Sequence, residues 1–131
     1  MPRSYSKLRY YTATNSQLTL PAGNQSVVVG FNVPRMGRIH KIVVKQTGGA
    51  NIAFTFNLYD YNPQAGTTPA PEFMRVINEI SVASGGVGVF SSDIGTPFVN
   101  PDNRLYAVIS LGSPAAANLS FDLAVLWQTN D

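Results

Sequence analysis

Asn118-Leu119-Ser120-Phe121-Asp122-Leu123-Ala124-Val125-Leu126-Trp127-Gln128 decides the fold class of this 131-residue chain. Leu119, Phe121, Leu123, Val125 and Trp127 fall at every second position, with Ser120, Asp122, Ala124, Leu126 and Gln128 between them. A strand turns successive side chains to opposite faces, so this spacing lines one face with large apolar groups. A helix would scatter the same residues around its circumference. The stretch therefore predicts a strand with one face in a core.

Two more stretches repeat the pattern. Val27, Val29, Phe31 and Val33 oppose Val28, Gly30 and Asn32, and Ile52, Phe54, Phe56 and Leu58 oppose Ala53, Thr55, Asn57 and Tyr59. Runs rich in β-branched and aromatic residues predict strands over 8–14, 17–20, 26–33, 38–46, 52–61, 74–82, 87–90, 105–111 and 118–128. Eleven Gly and nine Pro punctuate them. The best helical candidate is 72–80, opened by Pro71, although Val76, Ile77 and Ile80 weaken it. Two long loops are expected, 62–73 with Pro63, Pro69 and Pro71, and 91–104 with Pro97 and Pro101; long loops in compact domains are usually functional or interface elements. No crossover helices separate the strands, which excludes a parallel α/β sheet. The expected fold is all-β, an antiparallel two-sheet sandwich of jelly-roll type with about eight strands. Residues 1–16 form an N-terminal arm or extended segment packed on the domain or a neighbour, and 17–131 form a single β-sandwich domain.

Composition narrows the chemistry. Charged residues make up 12% of the chain, against roughly 25% in an average soluble protein. Either uncharged polar groups keep the molecule in solution, or partners cover much of its surface. Cysteine is absent, which removes disulfides, thiol nucleophiles and thiolate metal sites. The N-terminus lacks the apolar core of a signal peptide, and no apolar run approaches a membrane span. The sequons at Asn24 and Asn118 are read as chance.

The chain offers little to a catalyst. His40 is its single histidine, set in a predicted strand between Arg38 and Lys41 with no carboxylate beside it, so a structural role is expected. Glu72 and Glu79, and Asp93 and Asp102, have no spacing that forces two acids together. Asp93, Asn100, Asp102 and Asn103 are conceivable calcium ligands, but Asn100-Pro101-Asp102-Asn103 reads more simply as a turn. Gly85-Gly86-Val87-Gly88 lacks a following helix and reads as a bulge or tight hairpin. No catalytic residue, metal or cofactor is expected.

The charges are ordered along the chain. Arg3, Lys7, Arg9, Arg35, Arg38, Lys41 and Lys45 come first and no acid precedes Asp60; seven acids follow with only Arg75 and Arg104 among them. Two readings stand. The asymmetry marks an oriented contact with an acidic surface or with another copy, or strands of opposite sign interleave and cancel it. Tyr5, Tyr10 and Tyr11 alternate with the N-terminal cations, a composition suited to a protein contact or to single-stranded nucleic acid. The net charge of only +2 favours protein. Arg3, Tyr5, Lys7, Arg9, Tyr10, Tyr11, Arg35, Arg38 and Lys41 are accordingly the candidate partner-binding residues. Tyr59, Tyr61 and Tyr106 beside Asn57, Asn62 and Asn103 form an alternative, carbohydrate-binding candidate.

In overall pattern the chain resembles the small jelly-roll capsid cement, or decoration, proteins of tailed bacteriophages. The likeness rests on Leu18-Thr19-Leu20-Pro21-Ala22-Gly23 leading into Val27–Val33, on the Arg38–Lys45 strand, and on Leu105-Tyr106-Ala107-Val108-Ile109-Ser110-Leu111 followed by a small-residue loop and Leu119–Gln128. It implies a non-enzymatic virion protein made in the host cytoplasm. Such a protein forms a homo-oligomer, expected to be a trimer, and binds the major capsid protein on the outer head surface to stabilise the shell. The family has no shared site motif, so no residue roles carry over. The alternative function is a carbohydrate-binding module or phage receptor-binding domain.

Overall fold

The computed structural model describes residues 7–14, 18–63, 75–99 and 103–129. They form nine strands: β1 (Lys7–Ala13), β2 (Thr19–Leu20), β3 (Ser26–Asn32), β4 (Met36–Gly48), β5 (Phe54–Tyr59), β6 (Ile80–Val82), β7 (Val87–Val99), β8 (Arg104–Ser110) and β9 (Leu119–Thr129). One sheet has the order β1-β9-β4-β7, with the short β2 also paired to β9; the other is β3-β8-β5-β6. Every pairing is antiparallel.

Apart from β2, the pairs are nested. First pairs with last (β1·β9), then β3·β8, β4·β7 and, innermost, β5·β6. The chain is thus one long hairpin wrapped into two layers, the double Greek key of a jelly roll. The fold class expected from the alternating strands is the one observed.

The core is what the alternation predicts. Phe121, Leu123 and Val125 of β9 and Ile39, Ile42 and Val44 of β4 meet Phe54, Phe56, Leu58, Leu105 and Ile109 of the opposite sheet, all buried. Phe54 and Phe121 touch edge to face across the gap, centroids 5.0 Å apart at 72°. At the sandwich edge Tyr11 of β1 stacks on Phe31 of β3 at 4.3 Å. That stack turns Tyr11 into a strap between the sheets; burial raises its phenol above the ordinary value, while nearby Arg104 lowers it.

Three expectations need correction. The long loop predicted over 91–104 is mostly strand, because β7 runs to Val99. Pro97 and Gly95 misled the reading: an edge strand needs ladder donors on one side only, so it tolerates Pro, and Gly95 (φ 85°) makes a bulge without ending the strand. The helical candidate also fails in its described part: Arg75 bridges to Tyr59, Val76 donates to the Leu58 carbonyl, and 76–79 run as a bend and irregular chain into β6. This segment covers the outer face of β5, which is why Asn57 and Tyr59 are buried although they point away from the core. Finally, β4 extends to Gly48 through two irregularities, at Ile39/Lys41 and Gln46/Gly48. The first leaves His40 unpaired, so His40 and Lys41 both face outward between the buried Ile39 and Ile42.

Candidate functional site: the outer face of the β1-β9-β4-β7 sheet

Register alone builds this face. Outward residues align across four strands as Leu8–Gln128–Arg38–Pro97, then Tyr10–Leu126–Lys41–Ser91, then Thr12–Ala124–Val43–Val89, ending in Asp122–Lys45–Val87. Beyond the first row lie Met36 and Val99, paired to one another.

The face concentrates two kinds of side chain. All seven large hydrophobic residues found exposed among the described residues belong to this sheet: Leu8, Tyr10, Met36, Val87, Val89, Ile94 and Val99. Tyr10 is 76% exposed and Ile94 78%. The strands of the sheet also carry Lys7, Arg9, Arg38, Lys41 and Lys45 against only Asp93 and Asp122, whereas the strands of the other sheet carry Arg104 alone. The linear charge order therefore survives in space. Cations of the N-terminal half sit on β1 and β4, and their neighbours β7 and β9 each supply one carboxylate. Scattered apolar residues on a surface are ordinary, but a shared sheet face that is both apolar and cationic is the pattern of a contact surface.

The structure divides the candidate residues. Tyr10, Arg38 and Lys41 share the outer face, and Arg35 is exposed in the turn leading to β4. Arg9 is exposed but lies opposite Trp127 in the inward register, and Tyr11 is committed to its stack on Phe31. Lys7 lies on β1 opposite Thr129. Arg3 and Tyr5 lie outside the described residues. Sequence reasoning missed Lys45, Leu8, Val43, Val87, Val89 and Ile94. The first five sit in predicted strands whose outward phase was legible, but no single strand reveals which residues become neighbours across a sheet.

His40 and Arg38 organise one edge of the face. His40 Nδ1 lies 3.0 Å from the Ser92 carbonyl and Nε2 lies 2.7 Å from Gln128 Oε1. Arg38 donates to the Ile94 carbonyl at 3.2 Å, and Gly95 N–H donates to Ser92 Oγ at 3.1 Å. Together they fasten the four residues that β7 carries between Ser91 and Thr96 opposite the single His40. His40 thus holds backbone and amide groups and meets no carboxylate, in line with a structural role. His40→Ala is expected to lower stability by about 1–3 kcal/mol through the stranded partners; thermal unfolding monitored by circular dichroism measures it.

The carbohydrate candidate does not assemble as a platform. Tyr59 is buried and meets Tyr61 edge-on at 77°. Asn57 is buried beneath Arg75 and Glu79, accepting from Arg75 at 3.0 Å. Tyr106 lies flat over the space left by Gly30, with the Arg104 guanidinium 5.7 Å from its ring centroid. Sugar-stacking sites want coplanar exposed rings, whereas Tyr59 is buried and stands edge-on to Tyr61. Asp60 beside them has its carboxyl raised above the ordinary range by burial, partly offset by a backbone hydrogen bond. Of the four possible calcium ligands, Asn100 and Asp102 lie outside the described residues. Among the described residues no three His, Cys, Asp or Glu side chains gather as a metal site, and no helix is long and apolar enough to cross a membrane.

No protein-family model matches the chain, and no curated protein matches it. Solved structures are similar in fold. The protein FLHE is similar with a TM-score of 0.51 and 11% identity, over 96% of this chain and 98% of that one. The coat protein of tobacco streak virus gives 0.48 and 12% identity, over 94% of this chain and 87% of that one. A low-affinity xylan-binding module from Roseburia intestinalis gives 0.47 and 10%, over 92% and 96%. At 11% identity the likeness to FLHE is one of fold.

Proposed function

We propose that this protein is a virion structural component, a capsid cement or decoration protein that binds the outer head surface as a homo-oligomer and stabilises it without catalysis. One observation carries the reading. The exposed apolar side chains converge on one sheet of a jelly roll whose outer face also carries Arg38, Lys41 and Lys45, while the opposite sheet is partly roofed by its own residues 75–79. A face of that kind suits a flat, acidic protein lattice better than a small molecule. In this reading the outward residues of β1 meet the neighbour together with the rest of the sheet, and the end of the face bearing Arg35, Met36, Arg38 and Lys41 meets the major capsid protein. Many weak copies of one contact add up on a repeating shell.

The test is co-sedimentation with empty heads assembled from the major capsid protein of the same genome. Wild-type protein is expected to pellet with the heads, and Arg35→Glu/Lys41→Glu is expected to lose at least tenfold in affinity while keeping its melting temperature. Because the contact is charge-assisted, binding should also weaken as salt rises. Unchanged binding by the double variant, or no binding by the wild type, overturns the reading.

A further inference from the structure

A sheet edge presents a row of unpaired backbone N–H and C=O groups, so an exposed edge invites another strand unless something blunts it. The described sandwich has four edges, β1 and β7 in one sheet and β3 and β6 in the other. Three are guarded. β6 is only three residues long. β3 is lapped by β1 through the Tyr11–Phe31 stack. β1 carries the exposed Arg9 at an inward register position opposite Trp127, a charge that a continuing sheet would bury. β7 is guarded in one half only, where the bulge between Ser91 and Thr96 and then Pro97 interrupt the edge.

The other half, Val87-Gly88-Val89-Phe90-Ser91, has none of these devices. It runs in unbroken register against Lys45 to Lys41 of β4, holds no charge and no proline, and no described strand lies beyond it. Val87 and Val89 point outward and are 56% and 55% exposed, while the inward Phe90 is only partly buried against the core.

We infer that Val87–Ser91 pairs with the same segment of a second copy of this chain, antiparallel about a two-fold axis at Val89. Such an isologous contact needs a segment that complements itself, and this one does. Centring on Val89 uses all five regular residues, with Val89 beside its counterpart and Val87 beside Ser91 of the second copy. Shifting the centre toward Ser91 would draw the bulge into the ladder. Phe90 of each copy lies across from Gly88 of the other, so its open edge is covered without a side-chain clash. Charge does not oppose the contact. Lys41 of one copy and Lys45 of the other stand three strand spacings apart, about 14 Å, farther than the screening length at physiological salt. The axis runs perpendicular to the sheet, so the two cationic, apolar faces point the same way and join into one surface. The inference deepens the homo-oligomeric reading above and rests on it.

The chain has no cysteine, so a single introduced thiol reports its neighbour without ambiguity. Val89→Cys falls on the axis, where directly opposed residues of antiparallel strands lie within disulfide reach. Under mild oxidation it is expected to form a covalent dimer at least tenfold faster than Ile94→Cys, which is more exposed but off the axis. Val89→Lys sets two like charges side by side. It is expected to weaken self-association at least tenfold in light scattering across a dilution series, with an unchanged melting curve. Cross-linking of Val89→Cys no faster than Ile94→Cys, association of Val89→Lys at wild-type strength, or a monomeric wild type overturns the inference. Co-sedimentation with heads separates the two readings. A monomeric wild type that still pellets with heads sinks the β7 pairing and leaves capsid docking standing, whereas a cross-linked dimer that fails to pellet sinks capsid docking and leaves the pairing.

Discussion

Phe121→Ala is expected to lower the unfolding free energy by about 3–5 kcal/mol and the melting temperature by roughly 10–20 °C. Phe121 has no exposed surface, sits mid-strand in β9 and meets Phe54 of the opposite sheet edge to face. Truncation leaves a cavity between two sheets whose backbones are tied on both sides, β9 to β1 and β4, and β5 to β8 and β6. Neither layer collapses readily into the gap, which places the effect toward the upper end of the range. Chemical denaturation followed by Trp127 fluorescence measures it. A loss under about 1 kcal/mol would mean the two layers are not packed through this ring.

The second large effect comes from adding atoms. Gly37 lies in β4 opposite Phe98 and Thr129, and a Cβ built there falls 2.5 Å from the Gln128 carbonyl oxygen and 2.7 Å from the Phe98 ring. The first neighbour is backbone of the adjoining strand and has no rotamer to change. Gly37→Val is expected to cost about 3 kcal/mol or more, at or above the usual range for overpacking, and to disturb the Arg38–His40 bulge beside it. Comparison with Gly112→Val separates this steric effect from the general cost of replacing glycine. Gly112 lies in the loop after β8 with no atom within 4 Å of an added Cβ, so the melting temperature there should barely move.

Much of the molecule was legible residue by residue. Alternation in 119–127 named the inward face of β9, and the same phase in 27–33 and 54–58 named the partners that close the core. Even the β4 bulge leaves a trace: Ile39, Ile42 and Val44 are apolar, a slip of one position in the period of two. Where reading failed, a local signal met a tertiary exception. Pro97 and Gly95 announce a loop, yet an edge strand accommodates both. Asn57 and Tyr59 announce an exposed face, yet residues 75–79 fold over it.

The candidate site was less legible. Tyr10, Arg38 and Lys41 were picked out by composition, but Tyr11 has the same composition and points the other way, since neighbouring positions on a strand alternate. The exposure of Ile94 was invisible because it was assigned to a loop, and the depression lined by Ala124 and Val43 exists only through the pairing of β9 with β4.

The amino-acid order by itself determined a cysteine-free all-β sandwich, the identity of its core residues and the absence of a helical crossover. It did so because side-chain alternation and turn chemistry act within a few residues along the chain. The nested pairing of distant strands decided the rest. Residues more than eighty positions apart, such as Lys45 and Leu126 or Lys41 and Asp122, come to share one face, and the linear charge order becomes a cationic, apolar surface. Register across a sheet is set by how two buried faces fit together, and that fit is a property of the packed layers.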